Sequence, residues 1–161
     1  MIEALINFPL LALVRDASWG IVGLITILIF HGSAINHIYM VFERRTTKYL
    51  KLIQYNRVFA HFYASFVFIA ITHLLEILLW AIFIFSFNLF KEPIDAILFA
   101  GSCYTTVGFE PDALPDGWKT LAFFISFTGL FSLAWTTSIM FGMTTTYKEA
   151  WNLKYKDRFN L

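Results

Sequence analysis

The sequence has few charged residues and a single cysteine. Charged residues make up 14% of its 161 residues, against about a quarter in soluble proteins, while 58% are hydrophobic and the mean hydropathy is +0.66. This composition excludes the soluble class. The lone Cys103 excludes an intrachain disulfide. The N-terminus has neither a basic stretch nor a small-residue cleavage site, so we expect no cleaved signal peptide.

Long apolar runs take up most of the chain. A transmembrane helix needs about 20 mainly apolar residues, and three runs reach that length, at 19–42, 58–89 and 118–144. The run 93–104 is apolar but too short to cross a bilayer. We therefore expect an all-α membrane protein with three transmembrane helices. These runs leave no room for a soluble catalytic domain, and the protein is not expected to be an enzyme.

The N-terminal segment 1–18 is apolar but contains Pro9 and ends in Arg15-Asp16. It is too short and too interrupted to span a membrane. We expect it to lie in the membrane interface or to pack as a terminus against the helix bundle.

Basic residues are concentrated in two segments, 43–57 and 147–161, whereas acidic residues predominate in 88–119. The positive-inside rule places both basic segments in the cytoplasm. We therefore expect a multi-pass protein of the plasma (inner) membrane, with its N-terminus outside and its C-terminus in the cytoplasm. The first basic segment is also suited to contact with anionic lipid, although a topology signal explains it by itself.

A half-length helix followed by a non-helical loop is predicted after the second long run. Pro93 suits the first turn of a helix, because its missing N–H would be unpaired there, and Asp95 complements the positive end of the helix dipole. Irregular backbone is tolerated at membrane depth where it lines an aqueous path. We expect an extended segment whose carbonyl groups face such a path. The residues of this segment are small or β-branched: Thr105, Thr106, Val107 and Gly108.

The stretch Thr105-Thr106-Val107-Gly108-Phe109 resembles the selectivity filter of the potassium-channel pore family, whose signature is Thr-Val-Gly-Tyr-Gly. The resemblance covers residues 58–146, from the second long run to just beyond the end of the third. It includes Gly129, which lies near the flexible glycine of the family's inner helix. The additional segment 19–57 is similar to that of a prokaryotic subgroup, which has His-x-x-Glu on its outer helix.

This resemblance implies a homotetramer in a lipid bilayer that conducts potassium and needs no cofactor. Each chain would supply one pore loop, with 58–146 as the pore domain and 147–161 as a cytoplasmic tail. The permeant K⁺ would bind to oxygen atoms of four filter residues: Thr106, Val107, Gly108 and Phe109.

Glu110 stands where the family has the second glycine of its filter. A glutamate reaches a positive φ at a cost of roughly 1 kcal/mol or more. Either the lower filter stays intact, with four Glu110 carboxylates at an acidic outer mouth, or the upper filter widens. A widened filter would make a weakly selective channel that also passes sodium or divalent cations. We favour the intact filter.

Three ionisable side chains lie near the middle of the first two apolar runs. Glu76 is near the middle of the second run, His73 lies one turn away on the same face, and His31 is in the middle of the first run. Intramembrane ionisable groups are costly and mark functional sites by default. Three interpretations are open: a polar clamp between helices, a proton-sensing gate and a metal site. The clamp requires the fewest assumptions.

Two other functional classes are open. Four histidines on two spans permit a di-haem membrane cytochrome b, although that interpretation leaves the Thr-Thr-Val-Gly loop unexplained. A non-conducting accessory subunit would form the tetramer without ion flux. A haem absorption band would identify the first class and an absence of flux the second. The four histidines are His31, His37, His61 and His73.

Overall fold

The computed structural model describes residues 10–108 and 113–159, which are helical apart from short connections. They form four helices in chain order: α1 Leu10–Lys51, α2 Tyr55–Ser86, α3 Pro93–Tyr104 and α4 Leu121–Phe159. Of these, α1, α2 and α4 are long and apolar enough to cross a membrane. For the described residues, this confirms the prediction of an all-α protein with three helices long and apolar enough to span a membrane, as expected of a multi-pass membrane protein.

The short helix α3 has the bounds that the sequence predicts. Glu92 precedes it in an extended conformation, and Pro93 and Asp95 occupy its first turn. Proline costs no hydrogen bond in that position. No side chain caps the start of α3, and apolar packing holds it in place. Its buried residues are Ala96, Phe99, Ala100, Cys103 and Tyr104.

The first helix, α1, is longer than the predicted first span. It continues from Leu10 through Arg15 and Asp16, where the sequence predicted the end of a separate interfacial segment. No proline stands between Leu10 and Trp19, so no residue there removes a helical hydrogen bond. The 42 residues of α1 extend about 63 Å, which is twice the ~30 Å thickness of the hydrocarbon layer. The helix is therefore longer than a single crossing of that layer requires.

The ends of the other long helices also differ from the predicted runs. The last helix, α4, continues to Phe159, so the described part of the predicted tail is helical. A tight turn joins α1 to α2, in which Ile53 has a φ of 59° and the Gln54 N–H donates to the Tyr49 carbonyl. The basic segment predicted between the first two spans is therefore mostly helix.

The chain divides into two compact units, and each long helix contributes to both. The first unit contains the residues up to Ile29 and Leu75–Phe131, and the second contains Phe30–Leu74 and Ser132–Leu161. The core of the first unit packs α3 against α2 and α4, and includes Trp80, Ala100, Cys103, Leu121 and Ile125. The core of the second unit is smaller and contains Ile35, Phe42, Ile69 and Met143.

Candidate functional site

The first unit holds the loop that follows α3. The last carbonyl groups of a helix lack partners within the helix, and here four consecutive N–H groups of the loop turn back to them. Thr105 donates to Gly101 at 3.0 Å, Thr106 to Cys103 at 3.0 Å, Val107 to Ser102 at 3.0 Å and Gly108 to Ser102 at 3.5 Å. The loop is therefore fixed to the end of α3 by its own backbone.

Two residues of this loop have positive φ angles. Thr105 is in the right-handed region, with φ −85° and ψ 0°, whereas Thr106 has a φ of 57° and Gly108 a φ of 127°. The sequence predicted an extended segment, and this part of the prediction is wrong for the single chain. The reason is that the open carbonyls of α3 are the nearest acceptors for the loop N–H groups, and a left-handed residue brings those groups to the helix end.

The carbonyl groups of the loop point away from α3. The N–H and C=O of a trans peptide are antiparallel, and none of the described peptide bonds is cis. Since the N–H groups of Thr106, Val107 and Gly108 face α3, the carbonyls of Thr105, Thr106 and Val107 lie on the opposite side. All four loop residues are exposed in the single chain.

The threonine hydroxyls of the loop differ in their surroundings. The hydroxyl of Thr105 donates to the Gly101 carbonyl at 2.7 Å and is therefore held against α3. Thr106 is exposed. Phe109 and Glu110, which complete the predicted filter, lie outside the described residues.

The last residue of α3, Tyr104, connects the loop to α2. Its hydroxyl donates to Glu76 Oε2 at 2.5 Å, which is at the short end of the range for O–H···O bonds. Tyr104 is 2% exposed and Glu76 is completely buried. The sequence identified Glu76 but not this partner, because residue spacing does not encode which face of α3 meets α2. The bond fixes the residue that immediately precedes Thr105.

On α4, Gly129 allows that helix to approach the same tyrosine. A methyl group at this position would overlap the Tyr104 carbonyl oxygen and lie 2.9 Å from the carbonyl carbon. Real Cβ atoms do not come so close, so a larger residue would force α3 and α4 apart. The sequence assigned Gly129 to a flexible position of the inner helix, and the structure gives it a packing role.

Near the N-terminus, Asp16 of α1 holds the beginning of α4 in the same unit. It is 1% exposed, and its Oδ2 accepts the backbone N–H of Thr120 at 2.8 Å. A negative charge is stabilising at a helix N-terminus. Its neighbour Arg15 lies 5.4 Å from the ring of Trp118. These contacts hold residues 10–18 of the segment expected in the interface as part of α1, and residues 1–9 of that segment lie outside the described residues.

The thiol of Cys103 is buried beside the loop. Burial raises the pKa of this thiol to about 11, against a smaller lowering by its hydrogen bond with Ser102. The group is therefore a protonated thiol at neutral pH, and thiolate chemistry is not expected of it.

The second unit holds a pair of histidines around Thr136. The Thr136 hydroxyl oxygen lies 3.1 Å from His73 Nε2 and 3.4 Å from His31 Nε2, and the two imidazole rings are 5.4 Å apart. A hydroxyl donates only one hydrogen bond, so at least one imidazole donates to Thr136. Glu76 belongs to the first unit. The clamp, gate and metal-site interpretations of these residues stay predictions.

The other two histidines lie elsewhere in the second unit. His61 of α2 stacks on Tyr49 of α1, with ring centroids 5.3 Å apart, and His37 of α1 is exposed. Both line a cleft of about 470 Å³. The four histidines thus form two separate groups in this unit.

Comparison with known proteins adds no assignment. No protein family, curated protein or solved structure matches the chain. The candidate site is therefore defined by its own geometry: the loop after α3, and the contacts that Tyr104 makes with Glu76 and Gly129.

Proposed function

We propose that this protein is a homotetrameric cation channel of the plasma (inner) membrane and that its loop after α3 forms a potassium-selective filter. In this proposal α3 re-enters the membrane from the outside, and four loops surround one ion path. The N-terminus is outside and the C-terminus is in the cytoplasm, as the two basic segments require under the positive-inside rule. The protein transports ions and performs no chemical reaction.

The observation that carries the proposal is the direction of the loop's peptide groups. The loop N–H groups face α3, and the carbonyls of Thr105, Thr106 and Val107 face away from it. Carbonyl oxygens can replace the hydration shell of K⁺ in a selectivity filter. Four chains would turn each of these carbonyls into a ring of four oxygens, and the resemblance adds Gly108 and Phe109 to the set of ligands.

The orientation of α3 supports the same proposal. The C-terminal end of a helix carries a partial negative charge, and in α3 this end lies next to the loop. Half-helices in membrane proteins stabilise ions by this effect. Because α3 has 12 residues, it is about 18 Å long and too short to span the hydrocarbon layer by itself.

A weakly selective cation channel is the second candidate, and Glu110 is the residue that favours it. A glutamate in place of the second filter glycine would disfavour a left-handed backbone there. The upper filter would then be wider, and the selectivity for potassium would be weaker. A ring of four Glu110 carboxylates would still concentrate cations at the outer mouth.

Two glycines with positive φ provide a matched test of the loop. Gly108 has a φ of 127° and Gly117, in the turn before α4, has a φ of 84°. Alanine is strained at both positions, and nothing lies within 4 Å of a methyl group added at Gly108. In potassium-loaded vesicles of reconstituted protein, Gly108→Ala is expected to abolish selective potassium efflux, whereas Gly117→Ala retains it. Equal efflux from both variants would contradict conduction through this loop.

A further inference from the structure

The second unit contains a cleft between α1 and α2 that has no part in the proposed conduction. Its volume is about 470 Å³, within the range of cavities that bind small molecules. Most of its wall is apolar. The apolar wall is formed by Ile38, Val41 and Phe42 of α1 and by Ala64 and Phe68 of α2, and two polar side chains, His37 and Ser65, also line the cleft.

One end of this cleft carries the guanidinium charge of Arg45 and the imidazole of His61. No acidic side chain lines it among the described residues. Arg45 is exposed and has no ion pair or hydrogen bond to another described side chain. The ring of His61 is positioned by stacking on Tyr49 at an interplanar angle of 9°. The charge of Arg45 is therefore not neutralised by any acidic side chain in the described lining of the cleft.

The polar and apolar parts of the cleft are arranged in the same order as the headgroup and acyl chains of a lipid molecule. Arg45 follows Ile38 by seven residues on α1, or about 10 Å along the helix axis. The apolar run of α1 ends at Phe42 and a basic run begins at Arg44, so Arg45 lies at the level of the lipid headgroups. The apolar wall begins at that level and extends into the hydrocarbon layer.

We propose that this cleft binds one anionic phospholipid. Its phosphate contacts Arg45 and His61, and one acyl chain lies along Val41, Phe42 and Phe68. A guanidinium group donates two parallel hydrogen bonds to a phosphate, and basic pockets between transmembrane helices bind anionic headgroups. The guanidinium charge of Arg45, with no acidic side chain in the described lining, favours phosphatidylglycerol over phosphatidylcholine.

A basic side chain also attracts anionic lipid through its charge alone, without a cleft. Substitution of Arg44 distinguishes this diffuse attraction from the binding of one lipid in the cleft. Arg44 has the same charge and also lies at the exposed end of α1, but it does not line the cleft. Diffuse attraction predicts that Arg44→Gln and Arg45→Gln weaken lipid binding equally. A lipid in the cleft predicts that the loss is confined to Arg45→Gln.

The test measures binding of palmitoyl-oleoyl phosphatidylglycerol to the full-length protein in detergent by native mass spectrometry, with the matching phosphatidylcholine as reference. We expect a preference for phosphatidylglycerol that Arg45→Gln lowers by about fivefold or more, the effect of one basic side chain near an anionic surface. Arg45→Lys is expected to retain part of the preference, and Arg44→Gln most of it. Val41→Trp fills the cleft without a change of charge and is expected to remove the bound lipid.

Three results would overturn the proposal. They are equal binding of the two lipids by the unaltered protein, equal losses in Arg44→Gln and Arg45→Gln, and retention of phosphatidylglycerol by Val41→Trp. Circular dichroism and gel filtration of each variant verify that it is folded. If Arg45→Gln does not fold, Val41→Trp and Arg45→Lys still test the proposal. Both of these variants keep the net charge of the protein. None of these measurements depends on ion conduction.

Discussion

The hydroxyl of Tyr104 donates a 2.5 Å hydrogen bond to the carboxylate of Glu76 in the first unit. This bond connects the middle of α2 to the final residue of α3, and the loop begins at the next residue. The carbonyl of the same tyrosine lies against Gly129 of α4. The position of the loop thus depends on contacts with two of the long helices.

Removal of the Tyr104 hydroxyl is expected to disturb the loop. Tyr104→Phe leaves a completely buried Glu76 with one hydrogen-bond donor fewer, which costs about 1–3 kcal/mol. We expect a lower thermal midpoint in detergent and a smaller preference for potassium over sodium in vesicle flux. Tyr39→Phe is the control, because the side chain of Tyr39 makes no hydrogen bond to another described residue. Unchanged selectivity in Tyr104→Phe would show that this bond does not position the loop.

Two glycines of α4 form a matched pair for a packing test. Gly129→Ala would bring a methyl group onto the Tyr104 carbonyl, and overpacking of this kind costs about 1–3 kcal/mol. At Gly142 the nearest atom to an added methyl group is 3.6 Å away, on Tyr39. Gly142→Ala is therefore expected to be neutral or stabilising, since alanine favours helix over glycine. Thermal unfolding in detergent compares the two variants, and an equal loss of stability in both would contradict the packing role of Gly129.

Substitution of Thr136 tests the histidine pair. Thr136→Val removes the hydroxyl that joins His31 and His73 and keeps the shape of the side chain. We expect a loss of stability of about 1–3 kcal/mol, because ring nitrogens of the buried His31 and the half-buried His73 lose a partner. Thr137→Val is the control, since the exposed Thr137 hydroxyl donates to the Leu133 carbonyl of its own helix. If both variants unfold at the same temperature, the Thr136 hydroxyl does not stabilise the second unit.

The thiol of Cys103 is expected to be unreactive in the folded protein. Burial raises its pKa from 9.0 to about 11, so the thiolate fraction at neutral pH is smaller than in the unfolded chain. Maleimide labelling at pH 8 should be slow in mild detergent and fast after denaturation. Because the folded-state pKa is the higher one, this group's contribution to stability is present below pH 9 and is lost as the pH rises to about 11. Fast labelling of the native protein would contradict this burial.

The sequence predicted the elements of the fold better than the contacts between them. Pro93 and the apolar run after it determine α3 locally, so its bounds could be predicted. The hydrogen bond between Glu76 and Tyr104 could not, because it joins residues 28 positions apart and depends on the rotation of two helices. The same reason applies to Thr136 between the two histidines.

The backbone of the loop shows a second limit of sequence analysis. Threonine is disfavoured at positive φ, so neither composition nor propensity predicts the φ of 57° at Thr106. The open carbonyls at the end of α3 impose it. The continuation of α1 through Arg15 and Asp16 was missed for a similar reason, since the partner of Asp16 is a backbone N–H at Thr120, more than a hundred positions away.

The most direct test of the proposed function is the reversal potential of the protein reconstituted in a planar bilayer, with potassium on one side and sodium on the other. Carbonyl rings formed by Thr106 and Val107 predict a reversal potential close to the potassium equilibrium potential. A robust current that reverses near zero would contradict potassium selectivity and favour the wider filter at Glu110. An absence of current at every voltage and pH would contradict the proposal that the protein is a channel.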